Sequence, residues 1–156
     1  MIELRLLTLI AVRKKCTLKC GDVKQAFVQA TLPDDELYAL RPPKGCIDTN
    51  LTDLWKLNKS LYGLRRAPKH WYNKLRTMLT SLNLQPCKNA PCIFHGRVKA
   101  GCPPLYLGIY VDDFVYFSTN PSVEKEFENK VQQLTNVDFM GTVNFNNLPM
   151  WTSWEL

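Results

Sequence analysis

The stretch "LYLGIYVDDFVYFS", from Leu105 to Ser118, limits what this chain can fold into more than any other segment. Apolar and aromatic residues flank two adjacent aspartates, Asp112 and Asp113. Two short β-prone runs separated by two polar residues predict a tight β-hairpin. We expect strands over Leu105–Val111 and Phe114–Ser118, with Asp112 and Asp113 as the loop. The chain must then build a sheet around an apolar hairpin that carries two carboxylates at its tip.

The paired acids Asp112 and Asp113 have two interpretations. The first is a solvated turn, where acidic residues are common. The second is a cation site, because neighbouring carboxylates repel each other and an apolar environment increases that cost. Carboxylate oxygens are hard ligands and select Mg²⁺ or Mn²⁺. A site of this kind usually recruits a third carboxylate from elsewhere in the sheet.

Asp22, in "KCGDVKQAF", is the best candidate for the third carboxylate, because it ends a β-prone segment over Cys16–Val23. It can also be the N-cap of a short helix predicted over Lys24–Thr31. Three carboxylates at adjacent strand ends suit two-metal phosphoryl transfer, in which one ion activates a 3′-hydroxyl and the other holds triphosphate oxygens. Weaker candidates lie in predicted loops and turns: Asp34, Asp35, Glu36 and Asp53.

The remaining segments alternate between helix and strand patterns, which predicts an α+β fold. We expect an antiparallel sheet that holds the Asp22 strand beside the hairpin. The helices predicted over Pro68–Leu82 and Pro121–Leu134 should pack on one face of this sheet. The segment "QPCKNAPC" is interpreted as a loop because of its two prolines. Helices are predicted over Ile2–Lys14, Pro68–Leu82 and Pro121–Leu134, the last capped by Asn120, and further strands over Leu37–Leu40, Leu54–Leu57, Ile93–His95 and Val137–Val143.

The composition describes a globular chain with a core and a basic surface. It has 156 residues, of which 46% are hydrophobic, and a net charge of +6. Basic residues cluster over Lys56–Lys74, which favours a polyanionic partner. No secretory signal or membrane-spanning run is found, so the six cysteines are interpreted as reduced thiols. Zinc is the weaker alternative, because their spacings are not those of tight CxxC pairs.

Three motifs in chain order resemble those of reverse transcriptases. "YVDD" (Tyr110–Asp113) resembles their catalytic hairpin, and "DVKQAF" (Asp22–Phe27) resembles their first catalytic motif. "LWKLNKSLYGLRRAPKHWYNKL" (Leu54–Leu75) closely resembles the signature of copia-type long-terminal-repeat retrotransposon polymerases. "LPDDELYALRPPKGC" and "PCIF" fit the same family, and the match runs from about Leu4 to Val143.

The resemblance implies an RNA-directed DNA polymerase that adds a deoxynucleotide to a primer 3′-hydroxyl with two Mg²⁺ (or Mn²⁺) ions. Asp22, Asp112 and Asp113 would be the catalytic metal ligands, with the backbone carbonyl of Val23 as a further ligand. The partners would be an RNA template, a DNA primer and a deoxynucleoside triphosphate.

Further residues take roles from the same resemblance. Phe27 would be the steric gate against ribonucleotides, and Tyr110 would support the primer end or the incoming nucleotide. Gly63 to Pro68 has the Gly-x4-Pro spacing of the family motif that lines the nucleotide pocket and template. Tyr62 stands where many retroviral enzymes have Gln. Candidates for phosphate contacts are Arg65, Arg66 and Lys69.

We expect residues 1–143 to be a partial palm and residues 144–156 a divergent tail, with the family's fingers and thumb segments missing. The parent polyprotein would carry RNase H and integrase regions and act in cytoplasmic virus-like particles. The isolated chain is expected to have weak activity or none. The alternative is a non-catalytic remnant that at most binds nucleic acid.

Overall fold

The structure is a computed structural model that describes residues 2–46 and 53–143. It divides into two compact units. The sheet unit contains the chain up to Lys24 and the chain from Leu75 onward, and the insert unit is Gln25–Lys74. The divergent tail predicted for residues 144–156 lies outside the described residues.

The sheet unit is built on one antiparallel sheet of six strands, in the order β4-β5-β6-β7-β1-β8. The α+β class with an antiparallel sheet is therefore confirmed. Its strands are β1 (Lys19–Val23), β4 (Leu84–Cys87), β5 (Ala90–Gly96), β6 (Leu105–Tyr110), β7 (Asp113–Ser118) and β8 (Val137–Thr142), and its helices are α1 (Ile2–Arg13), the second half of α3 (Ala67–Ser81) and α4 (Pro121–Leu134).

The alternation of side chains along β6 and β7 decides which helix covers which face. Phe114 and Tyr116 contact Phe127 of α4 through their rings, on the face where α3 and α4 pack, as predicted. The opposite face of β7, with Val115 and Phe117, packs on α1.

The hairpin turn differs from the sequence prediction by one residue. Tyr110 pairs with Asp113, so the two-residue loop is Val111-Asp112 and Asp113 is the first residue of β7. The prediction placed both acids in the loop because polar residues favour turns. The consequence is that Asp113 has a fixed register in the sheet.

The segment "QPCKNAPC" is not a loop, and that prediction is wrong. Gln85, Pro86 and Cys87 lie in β4, and Ala90, Pro91 and Cys92 begin β5. Pro86 is tolerated because β4 is an edge strand, with a register shift between Pro86 and Cys87, and Pro91 lies in β5 ahead of Ile93, where the pairing with β6 begins.

The helix predictions hold closely. Helix α4 has the predicted bounds, and the side chain of its N-cap Asn120 accepts a hydrogen bond from the backbone N–H of Ser122. Helix α3 buries Trp71, Leu75 and Leu79 along one stripe. No described helix is long and apolar enough to cross a membrane.

The insert unit contains a short antiparallel pair and the start of α3. Thr31 forms an isolated bridge with Lys59, and the backbone N–H of Ser60 donates to the carbonyl of Ala30 at 2.8 Å. The elements of this unit are α2 (Ala26–Gln29), β2 (Ala39–Leu40), β3 (Trp55–Lys56) and the first half of α3.

Candidate active site

Three aspartates form a row across neighbouring strands of the sheet unit. Asp22 in β1 lies directly opposite Asp113 in β7 and, on its other side, opposite Asp138 in β8. Directly opposed residues project from the same face of a sheet, with Cβ atoms about 5 Å apart. The fold thus brings together two predicted site residues that are far apart in sequence, together with a third acid.

Asp112 is held beside this row by the hairpin turn. The backbone N–H of Val23 donates to the carbonyl of Asp112 at 3.0 Å, which ties the turn to the end of β1. Asp112 also lines a cavity of about 20 Å³, whose other lining residues, including Leu79, Ile109 and Phe114, are all apolar. Asp112 thus lies at the same end of the sheet as the aspartate row, beside an apolar wall.

The turn itself is strained. Val111, its first loop residue, has a φ of 59°, in the left-handed region that glycine favours and β-branched residues avoid. Strained backbone of this kind concentrates at functional sites. Val111 is exposed, so burial of its own side chain does not explain the conformation.

The surroundings of Asp22 disfavour a negative charge on its carboxylate. Burial raises the pKa of Asp22, and the carboxylates of Asp112 and Asp138 raise it further. Lys24 acts in the opposite direction, and its Nζ lies 2.8 Å from the carboxylate of Asp138. A further cation near Asp22 would favour its ionised form in the same direction as Lys24 does.

Asp22 is not the helix cap that was the alternative interpretation. It lies within β1, and the residue at the N-cap of α2 is Gln25, which has a φ of 51° and makes no side-chain capping hydrogen bond. The chain thus leaves the Asp22 carboxylate at the strand end, next to the hairpin.

The donor chemistry fits Mg²⁺ or Mn²⁺, because the site offers half-buried carboxylates at fixed register. Within residues 2–46 and 53–143, however, no three acidic, histidine or cysteine side chains are grouped so that they could hold a metal ion. Metal binding would therefore require side-chain rotation from the cross-strand spacing that Asp22 and Asp113 now have.

The predicted nucleotide-binding residues fall into both units. Tyr110 is 43% exposed and pairs with Asp113, so its ring projects beside the aspartate row. In the insert unit, the rings of Phe27 and Tyr62 contact each other with centroids 4.8 Å apart. Gly63 follows with a φ of 92°, which a side chain would strain.

The predicted phosphate-binding residues at the start of α3 are not equivalent. Arg65 and Lys69 are exposed. Arg66 donates to Glu36 at 2.8 Å, and the buried His70 approaches the same carboxylate at 3.0 Å. Arg66 is therefore engaged inside the insert unit, and Arg65 and Lys69 are the more accessible cations.

Two residues that matter here were missed or undervalued by the sequence predictions. Asp138 lies in a weakly patterned strand, and its position opposite Asp22 depends on pairing between distant segments. Glu36 was predicted to be a surface-loop acid, yet its carboxylate accepts hydrogen bonds from Arg66 and from Tyr38. These hydrogen bonds lower the pKa of Glu36.

Replacing Asp22 should make the metal-free chain more stable at neutral pH. The raised pKa means that Asp22 favours the folded state when protonated, and that this stability is lost as pH rises through the raised pKa. Asp22→Asn should therefore unfold with a free energy higher by roughly 0.2–1 kcal/mol at pH 7. The gain should vanish below 3.8, the ordinary pKa of aspartate.

Urea denaturation at both pH values, without divalent metal, measures this difference. The matched control is Asp34→Asn, at an exposed loop position, which should change stability at neither pH. If Asp22→Asn is instead less stable than the natural chain at pH 7, repulsion of the Asp22 carboxylate by those of Asp112 and Asp138 does not destabilise the fold.

Comparison with known proteins places the chain in a family. The family model described as "Reverse transcriptase (RNA-dependent DNA polymerase)" matches residues 1–147. The chain belongs to the reverse transcriptase family. Within it, the chain is of the copia type, because its curated relatives are proteins of transposons of that type.

Two plant relatives and one yeast relative illustrate the similarity. The Retrovirus-related Pol polyproteins from transposons RE1 and RE2 of Arabidopsis thaliana are 33% and 34% identical over 78% and 72% of this chain. The Putative transposon Ty5-1 protein YCL074W of Saccharomyces cerevisiae is 24% identical over 79% of the chain. The aligned region covers 8% of each plant polyprotein and 39% of the yeast protein.

Proposed function

We propose that the aspartate row and the hairpin turn carry out metal-dependent nucleotidyl transfer, as the polymerase centre of a copia-type RNA-directed DNA polymerase. The observation that carries the proposal is the register of Asp22 opposite Asp113, with Asp112 tied to the end of the Asp22 strand. The backbone of two distant segments thus sets these three aspartates at one end of the sheet, and family membership supports the type of reaction.

Asp22, Asp112 and Asp113 would hold two Mg²⁺ (or Mn²⁺) ions, with the backbone carbonyl of Val23 as a further ligand. When bound, such ions activate a 3′-hydroxyl and stabilise the charge that develops on the transferred phosphoryl group. The protein itself provides position: the sheet fixes the carboxylates, and the hydrogen bond from Val23 fixes the turn. Tyr110 presents an exposed ring for the primer end or the incoming nucleotide.

Substrate selection would fall to the insert unit. Phe27 would act as the gate against a ribose 2′-hydroxyl, and its contact with Tyr62 gives the ring a defined orientation. Gly63 would leave room for the nucleotide. Arg65 and Lys69 would contact phosphates of the RNA template and DNA primer. Arg66 would contribute through those N–H groups of its guanidinium that do not donate to Glu36.

The activity of a whole retrotransposon would need more than this chain, which spans under a tenth of the plant polyproteins. RNase H and integrase steps would belong to other regions of such a polyprotein, and assembly would take place in cytoplasmic particles. For the chain alone we propose weak extension of a primer.

The test is primer extension on poly(rA)·oligo(dT) with the full chain at high concentration, in Mg²⁺ and in Mn²⁺. Metal-dependent incorporation of deoxythymidine supports the polymerase. The absence of incorporation together with duplex binding favours the alternative, a non-catalytic chain that binds nucleic acid. The absence of both activities rejects the proposal.

A further inference from the structure

A second candidate site lies at the end of the sheet unit away from the aspartates. It is a cleft of about 370 Å³ between the end of α1 and the start of α4. We call it the lysine cleft, and its lining includes Lys14, Lys15, Thr17, Lys19, Thr119 and Glu124. Ser118 borders it at the far end of β7 from Asp113, which places the two sites about 17 Å apart along the strand.

The charges of the cleft leave a positive excess. Lys19 pairs with two carboxylates, since its Nζ lies 3.2 Å from Glu124 and 2.9 Å from Glu128. This group carries one net negative charge against the two positive charges of Lys14 and Lys15. Neither Lys14 nor Lys15 takes part in an ion pair within the described part of the chain. The ammonium of Lys14 lies 5.9 Å from the centroid of the Tyr106 ring, which orients it without neutralising it.

Lys15 occupies a backbone position that favours glycine. The N–H of Cys16 donates to Ala11 and the N–H of Lys15 donates to Val12, both at 2.9 Å. This is the Schellman pattern at a helix end, and Lys15 is its left-handed residue with a φ of 54°. A lysine there costs backbone energy that glycine would not. Its amine offers what glycine lacks, a cation in the cleft.

We infer that the lysine cleft binds the phosphate group of an anionic ligand. Its volume suits a ligand of the size of one nucleotide or an oligophosphate. Two amines and the hydroxyls of Thr17 and Thr119 can donate to phosphate oxygens, while the carboxylate of Glu124 is engaged by Lys19 at 3.2 Å and by the N–H of Ser118 at 3.0 Å. The inference is independent of the proposed polymerase activity, because the cleft needs no divalent metal and shares no residue with the aspartate row.

Binding is tested in EDTA with two probes: inorganic pyrophosphate, followed by NMR, and a fluorescein-labelled single-stranded oligonucleotide, followed by anisotropy. Pyrophosphate binding identifies a free phosphate ligand, and oligonucleotide binding identifies a nucleic-acid backbone. EDTA removes any contribution of metal at the aspartate row.

The decisive variant is Lys15→Gly, which removes the amine and relieves the left-handed strain. It should bind at least one probe about tenfold more weakly, the effect of losing one charged hydrogen bond. Its stability should equal or exceed that of the natural chain, so a folding defect cannot explain the loss. The control Lys125→Ala removes an exposed lysine of α4 outside the cleft and should bind normally. Unchanged binding of both probes by Lys15→Gly, or no binding by the natural chain, overturns the inference.

Discussion

Asp112→Asn should reduce primer extension by about a thousandfold, since in the proposed mechanism the carboxylate ligates metal and its loss would remove several kcal/mol of transition-state stabilisation. Asp112 lies in the turn beside Asp22, and its backbone carbonyl is held by the N–H of Val23. Asparagine has nearly the same shape and leaves this backbone hydrogen bond in place. The loss should therefore come from chemistry and not from unfolding.

The comparison that interprets this result is a second aspartate variant, Asp34→Asn, in the same assay. It removes the same charge from an exposed loop and should retain extension. Circular dichroism should show both variants folded. Extension by Asp112→Asn at more than about a tenth of the natural rate would contradict a catalytic role for the hairpin.

Gly96→Ala should lower the free energy of unfolding by about 3 kcal/mol, the upper part of the range for overpacking in a core. Gly96 lies in β5 and pairs with Leu84 of β4 on one side and Leu105 of β6 on the other. A Cβ atom there would collide with the backbone carbonyl of Asn83. Backbone at a strand start cannot move away as a side chain can.

Gly108→Ala is the matched comparison for this stability effect. Its Cβ would meet the Cδ2 atoms of Leu4 and Leu7 of α1, which are the flexible ends of side chains. We expect a smaller loss, about 1 kcal/mol. Urea denaturation of both variants measures the difference, and a Gly96→Ala cost below that of Gly108→Ala would be inconsistent with the backbone collision.

Local patterns were sufficient for most of the elements and for the choice of the aspartates. The stripe of Trp71, Leu75 and Leu79 predicted α3, and the signal of Asn120 before Pro121 predicted α4. Asp112, Asp113 and Asp22 were chosen because acids next to apolar strands need an explanation. The structure sets Asp22 opposite Asp113 and ties the backbone of Asp112 to the end of β1, and their role as metal ligands stays a prediction.

Errors arose where local chemistry and long-range pairing disagree. Pro86 and Pro91 favoured a loop, but pairing with the rest of the sheet keeps both segments extended. The hairpin register was shifted because Asp-Asp suits a turn better than Val-Asp does, and the sheet imposes a left-handed Val111 instead. Propensity is a weak guide where tertiary pairing decides the conformation.

Asp138 could not have been found from the sequence alone. It is one acid in a short strand with no flanking motif. Its effect on the pKa of Asp22 depends on the pairing of β8 with β1. The same is true of the lysine cleft, because Lys14 and Lys15 resemble ordinary basic residues at a helix end until α4 is placed beside them.

The proposed polymerase function requires Asp22, Asp112 and Asp113 together to bind a divalent metal ion. Titration of the chain with Mn²⁺, with the free ion followed by electron paramagnetic resonance, tests it without requiring catalysis. The natural chain and Asp34→Asn should bind Mn²⁺ with the same affinity, and Asp22→Asn and Asp112→Asn should each bind at least about tenfold more weakly. Equal Mn²⁺ affinity in all four proteins, or no binding by the natural chain, would contradict the account.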